Sequence, residues 1–188
     1  VMDLNGDYSD TLHFVKDYAF AKTAATLIFS KHAEKADSIK GIYTYESGTQ
    51  SIVDTAGKEF TRMAINESGS HLAWLVTSDS IKSEAKKYEL RYLLNRQELR
   101  SVRIENQGIP MGAMPSPYFT PEFDKTDSFL FFKSTKIPEV IEEDTMALDE
   151  EKVQLDIWSW SDTVVQPQQS INLKRDKERS FLAVVDLI

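Results

Sequence analysis

Three ten-residue segments of this chain align with one another without a gap, and that internal repeat limits the possible folds more than any local propensity does. They are Phe20-Ala-Lys-Thr-Ala-Ala-Thr-Leu-Ile-Phe29, Ile65-Asn-Glu-Ser-Gly-Ser-His-Leu-Ala-Trp74 and Phe123-Asp-Lys-Thr-Asp-Ser-Phe-Leu-Phe-Phe132. Each reads as an apolar residue, a short polar turn and then mostly large apolar residues. Glu67-Ser68-Gly69-Ser70 and Lys125-Thr126-Asp127-Ser128 supply residue types that tolerate turn dihedrals and satisfy their own backbone. Leu27-Ile28-Phe29, Leu72-Ala-Trp-Leu-Val76 and Phe129-Leu-Phe-Phe132 then read as strands apolar on both faces, as a strand between two neighbouring sheets must be.

After each buried strand and a polar loop comes an aromatic, alternating segment: Ile42-Tyr-Thr-Tyr45, Tyr88-Glu-Leu-Arg-Tyr-Leu93, and Val153-Gln-Leu-Asp-Ile-Trp-Ser-Trp160. In the first unit Glu46-Ser-Gly-Thr49 turns the chain into Gln50-Ser-Ile-Val53 as a hairpin. The repeating unit is therefore a meander of about four strands. Units start 45 and 58 residues apart, the longer interval containing the Pro/Gly/Met loop Gly108–Pro117. Such a unit at this period predicts an all-β fold, a partial β-propeller of four-stranded antiparallel blades, with units at roughly 14–57, 58–107 and 118–188. A β-sandwich also has short strands and turns, but it does not predict a gapless repeat. Ser83–Leu99 is rich in helix formers. The alternation of Tyr88, Leu90, Tyr92 and Leu94, together with the repeat, favours a strand there.

Lys and Arg number 22 against 30 Asp and Glu, a net charge of −8, so no general attraction to nucleic acid or anionic lipid is expected. No run approaches the length of a spanning helix. The absence of cysteine removes disulfides, thiolate metal sites and a Cys nucleophile. The closing run Phe181–Ile188 reads as a strand with nothing after it to pair, which suggests a fragment with raw edges that self-associates or needs the rest of a ring.

The search for chemistry yields no catalytic, cofactor-binding or metal-ligating residue. A Gly-x-Ser-x-Gly elbow is missing, and Ser47 and Ser68 fall in turns. His13, His32 and His71 lack paired ligand spacing. Asp3-Leu-Asn5-Gly-Asp7 starts like a calcium loop but places Tyr8 and Phe14 where glycine and the closing carboxylate belong. The acidic run Glu139–Glu151 reads as a solvated loop. Trp158 and Trp160 share a strand face, but Tyr43 with Tyr45 and Leu90 with Tyr92 occupy comparable places in the other units, so packing outweighs ligand stacking.

Val153-Gln-Leu-Asp-Ile-Trp-Ser-Trp-Ser-Asp162, the following Gln166-Pro-Gln-Gln169, and Leu173-Lys-Arg-Asp-Lys-Glu-Arg-Ser-Phe-Leu-Ala-Val-Val-Asp-Leu187 resemble the propeller of prolyl-oligopeptidase-type (S9 family) serine peptidases of Bacteroidetes. Asp17-Tyr-Ala-Phe20, Gly41-Ile-Tyr-Thr-Tyr45 and the Gly108-Ile-Pro110 loop fit more weakly. Thr23-Ala24-Ala25 departs from the family's glycine-containing turn. The resemblance implies an exported, periplasmic or cell-surface, dipeptidyl-peptidase-like parent. Its partner would be an α/β-hydrolase domain of the same protein, absent from this chain, and its substrates peptides. The alternative is a stand-alone periplasmic propeller serving as a binding or scaffold protein.

Overall fold

Each repeated segment crosses from the last residue of one strand into the next. The computed structural model describes residues 1, 9–32, 39–80, 83, 85–102, 109–138 and 178–188, with positions 168, 172 and 175. The first sheet is the meander β1 (Val15–Phe20), β2 (Thr26–Lys31), β3 (Gly41–Glu46) and β4 (Thr49–Asp54). The second is β5 (Glu59–Ile65), β6 (Leu72–Thr77), β7 (Glu89–Leu94) and β8 (Glu98–Val102). The third contains β9 (Ala113–Pro115), β10 (Glu122–Phe123), β11 (Phe129–Lys136) and β12 (Phe181–Asp186), with β9 and β10 pairing to β11 and β12 on its other side. All pairings are antiparallel. The chain divides into two compact units, Val1–Pro138 with Ser180–Ile188, and Glu139–Arg179; all three sheets belong to the first.

The repeat is a five-residue loop closed by one backbone bond. Ala21, Asn66 and Asp124 each donate N–H to the carbonyl five residues on, Thr26, His71 and Phe129, at 3.0 Å. In the second and third copies the Asx side chain completes the loop. Asn66 Oδ1 accepts the His71 N–H at 2.9 Å, and Asp124 Oδ1 accepts the Phe129 N–H at 2.8 Å. Gly69 (φ 76°) and Asp127 (φ 57°) sit at the same repeat position in the left-handed region. Ala21 has no side-chain acceptor, so the first loop closes differently: Thr23 donates both its N–H and its hydroxyl to Glu67 O, at 2.9 and 2.8 Å, bracing the first loop on the second. A Cβ on Gly69 would meet Thr26 Oγ1 at 3.0 Å in addition to the unfavourable φ. Gly69→Ala is therefore expected to cost about 1–2 kcal/mol in urea denaturation.

The Ser47-Gly48 turn has φ of 48° and 80°, the signs of a type I′ hairpin, as Ser-Gly between two strands predicts. Among the described residues of 83–99 there is no helix, and Glu89–Leu94 forms β7. Leu90, Tyr92 and Leu94 of β7 are buried on one face, and packing on both sides of this sheet overrides the helix formers. Asn95 and Arg96 at left-handed φ turn the chain into β8.

Strand alternation builds the core in layers. Ile28 and Ile42 of the first sheet pack against Phe60, Met63, Leu72, Trp74 and Val76 of the second. On the second sheet's other face Ala73, Leu75, Leu90 and Tyr92 meet Leu130 and Phe132 of the third. The middle sheet is thus covered on both sides, and the continuous apolar run of β6 is wholly buried. Each large side chain enclosed this way contributes roughly 1.5–3 kcal/mol. The first strands come together, with β5 lying against β1 and against β10.

Two expectations are corrected in the third unit. The strand beside β11 is Phe181–Asp186, where Val153–Trp160 was expected; Val153–Trp160 lies outside the described residues. The run Phe181–Ile188 is not without a partner, because it pairs from Phe129↔Asp186 to Ser134↔Phe181. Ala183 and Val185 face inward and Leu187 is buried, which ties this segment to the core. The strand Phe129–Phe132 also differs from its counterparts. Leu130 and Phe132 are buried, but Phe129 is 41% exposed, because no further sheet covers that face among the described residues.

Candidate functional site

Equivalent residues of the three repeats converge on one groove. Phe20, Ile65 and Phe123 occupy the first repeat position, and Lys22, Glu67 and Lys125 the third. All six line a cavity of about 390 Å³ at the ends of β1, β5 and β10, completed by Met63, Pro121 and Glu122. The arrangement follows from the meeting of first strands: the same turn, repeated, presents an apolar residue and a charged one at one place three times over. Lys22 Nζ and Glu67 Oε1 pair across the rim at 2.7 Å, and Lys22 holds the Glu67 carboxyl below its ordinary range. The groove combines apolar surface, including Phe20 at 58% exposure, with charges of both signs.

Behind this groove the turns are tied into one polar network. Asn66 Nδ2 donates to Ser68 Oγ (2.9 Å), Ser70 Oγ (3.0 Å) and Asp127 Oδ2 (2.8 Å), joining the second loop to the third. Arg96 donates to Gly69 O (2.9 Å) and Thr26 Oγ1 (2.8 Å) and pairs with Glu46, joining the second sheet's turns to the first sheet. Asp124 is held below the ordinary carboxyl range, chiefly by Thr126 and then by the Phe129 N–H.

Ser68 is part of this turn network, and Ser47 is exposed at its hairpin. One pair escaped the sequence reading: Ser70 Oγ lies 2.9 Å from His71 Nδ1. Adjacent residues do not announce such a contact, and the setting is structural. Ser70 is shared with Asn66 and Ser68, while the nearby carboxylate, Asp127, is bonded to Asn66 and not to the imidazole. The structure does not bring the histidines together. His13 is exposed beside Phe14, His32 donates its N–H to Phe14 O, and the His71 ring stands edge-on to Phe123. Among the described residues no group of three or more His, Asp or Glu could hold a metal ion. Tyr43 and Tyr45 are buried on the outer face of the first sheet. Tyr43 stacks on Phe29 with ring centroids 5.6 Å apart, and its hydroxyl, pushed up by burial, donates to Ile39 O at 2.8 Å. Asp3, Asn5 and Asp7, the acidic run Glu139–Glu151, Trp158 and Trp160, and most of Gln166–Gln169 lie outside the described residues.

Two charged clusters fasten the first sheet to the second. Asp54 Oδ2, at the end of β4, accepts from Trp74 Nε1 (2.9 Å) and Arg91 Nη1 (2.8 Å), and Asp54 Oδ1 accepts the Ala56 N–H (2.8 Å). Burial disfavours the charge of Arg91, but its bonds to Asp54 and Glu89 outweigh that and raise its pKa. Glu59 takes Lys86 at 2.7 Å and Lys16 at 3.0 Å, and Lys86 foremost lowers its pKa. A carboxyl lowered on folding stabilises the protein above its unfolded pKa and loses that contribution as pH falls through the folded value. Glu59→Gln is therefore expected to lose stability at pH 7 and to show a weaker decline than the native chain as pH drops below the ordinary 4.5, as followed by urea titrations at stepped pH.

Fold and groove together define three four-stranded antiparallel sheets packed in succession among the described residues. No known family profile and no curated protein sequence matches the chain. Among solved structures it is similar to one described as "Crystal structure of the eukaryotic initiation factor", at 13% identity and a TM-score of 0.33, over 65% of this chain and 38% of that one. So slight a likeness carries no argument about function.

Proposed function

We propose that this chain is the non-catalytic propeller portion of an S9-type serine peptidase, limiting peptide access to an α/β-hydrolase domain of the same protein. The observation that carries the reading is the meeting of three equivalent repeat turns at one groove. Two consecutive four-stranded meanders that pack face to face, with a third sheet on the second and with β5 against both β1 and β10, support the propeller reading. The resemblance of Val153–Leu187 to S9 propellers supplies the family. Such a ring does no bond cleavage. It excludes folded proteins and orients an extended substrate toward the triad.

The parental reading frame tests this. A Gly-x-Ser-x-Gly elbow followed by Asp and then His downstream of Ile188 is expected. A frame encoding a complete ring and no hydrolase sinks the peptidase reading and favours a periplasmic binding or scaffold protein.

A further inference from the structure

At the opposite ends of β1 and β5 from the groove lies a second cavity, of about 350 Å³, with the reverse of the chain's overall electrostatics. The protein carries a net charge of −8, yet Lys16, Lys31, Lys40 and Lys58 line this cavity with His32, against Glu59 as the one carboxylate among the described residues. Glu59 is already held by Lys16 and Lys86. Lys31 is turned onto Gln50 Oε1 at 3.0 Å and over the Tyr43 ring at 4.8 Å. That leaves Lys40 and Lys58, whose ammonium groups have no ion-pair partner among the described residues.

A second, independent observation concerns Ser30 at the cavity wall. Its hydroxyl is buried, the residue being 1% exposed, and makes no hydrogen bond. Ser30 is the cross-strand neighbour of Ile42, and Ile42 packs with Phe60. Cross-strand neighbours share a face, so Ser30 points into the space between β2 and β5 that the cavity occupies. A buried hydroxyl without an acceptor is unfavourable and signals a missing partner.

We propose that this cavity is a binding site for a small oxyanion, a carboxylate or phosphate group. Lys40 and Lys58 supply the charge, and the Ser30 hydroxyl donates a hydrogen bond at the base. The unengaged polar groups are donors, which selects an acceptor-rich ligand, and the cavity lies at the small end of ligand-site volumes. The inference is independent of the peptidase reading.

Calorimetric titration of the whole chain with inorganic phosphate and, separately, succinate tests it at low salt and again with added NaCl. One of the two should bind saturably with a Kd below about 10 mM and weaken with salt. The stronger arm identifies the group as phosphate or carboxylate. Lys40→Ala with Lys58→Ala should weaken that binding ~10-fold, a change of about 1.4 kcal/mol. Ser30→Ala should weaken it several-fold while raising the melting temperature of the ligand-free protein, since an unsatisfied hydroxyl is removed. That rise separates lost binding from lost folding. Absence of saturable binding in both arms, or native-like binding by both variants, overturns the proposal.

Discussion

Asp54→Ala is expected to destabilise the three-sheet unit by several kcal/mol, roughly 3–5 from the broken pair alone. Asp54 is 7% exposed and is the acceptor for both Trp74 Nε1 and Arg91 Nη1. Alanine leaves the guanidinium of Arg91 in a nearly enclosed site with Ala56 O and Glu89 as its remaining partners among the described residues. Removing one member of a buried pair costs about 3–5 kcal/mol, and the indole N–H of a fully buried Trp74 loses its acceptor as well. Against a typical total of roughly 5–15 kcal/mol, that change is large. Asp54→Leu combined with Arg91→Met should be less damaging than the sum of the single changes, because no orphaned charge remains. Guanidinium denaturation of the four proteins measures the coupling; additive losses would show that the two sheets are not joined there.

The second large effect is on association. Tyr18 (62% exposed), Phe20 (58%) and Ile52 (59%) lie on the outer face or edge of the first sheet. At the far end of the stack Leu182 (65%) and Val184 (49%) are exposed on one face of β12. Two different apolar surfaces on one molecule make head-to-tail contacts that do not close, and the outer edge of β12 has no strand partner among the described residues. Sedimentation velocity should show concentration-dependent oligomers. Leu182→Lys with Val184→Lys, which places charge on one of the two surfaces, should shift the chain toward monomer without changing its circular dichroism. A native chain that stays monomeric at about 100 μM would contradict this reading, since even a weak Kd of that order is detectable there.

Much of the fold was legible because the repeat encodes local geometry. Asn66 and Asp124, five residues before His71 and Phe129, specify the loop, and the apolar residues of β2 and β6 specify strands covered on both faces. The partner of β11 was not legible. Val153–Trp160 alternates and Phe181–Val185 is a continuous apolar run, both strand-like, and such patterns state which residues share a face without stating which strands pair. The groove could be read in part, since Phe20, Ile65 and Phe123 hold one repeat position and a stack of like units must bring them together. The Asp54–Trp74–Arg91 cluster and the Lys40–Lys58 cavity could not. Their members come from strands and loops far apart in sequence, and no local pattern links them.

The central claim is that the chain acts beside a hydrolase and does no cleavage itself. A fluorophosphonate probe, which labels activated serines, tests it when applied to the full parental protein and to residues 1–188 alone, with the labelled peptide located by mass spectrometry. The account predicts a label on a serine beyond Ile188 in the parent and no label on this chain. A labelled serine within residues 1–188, Ser70 beside His71 included, would contradict it.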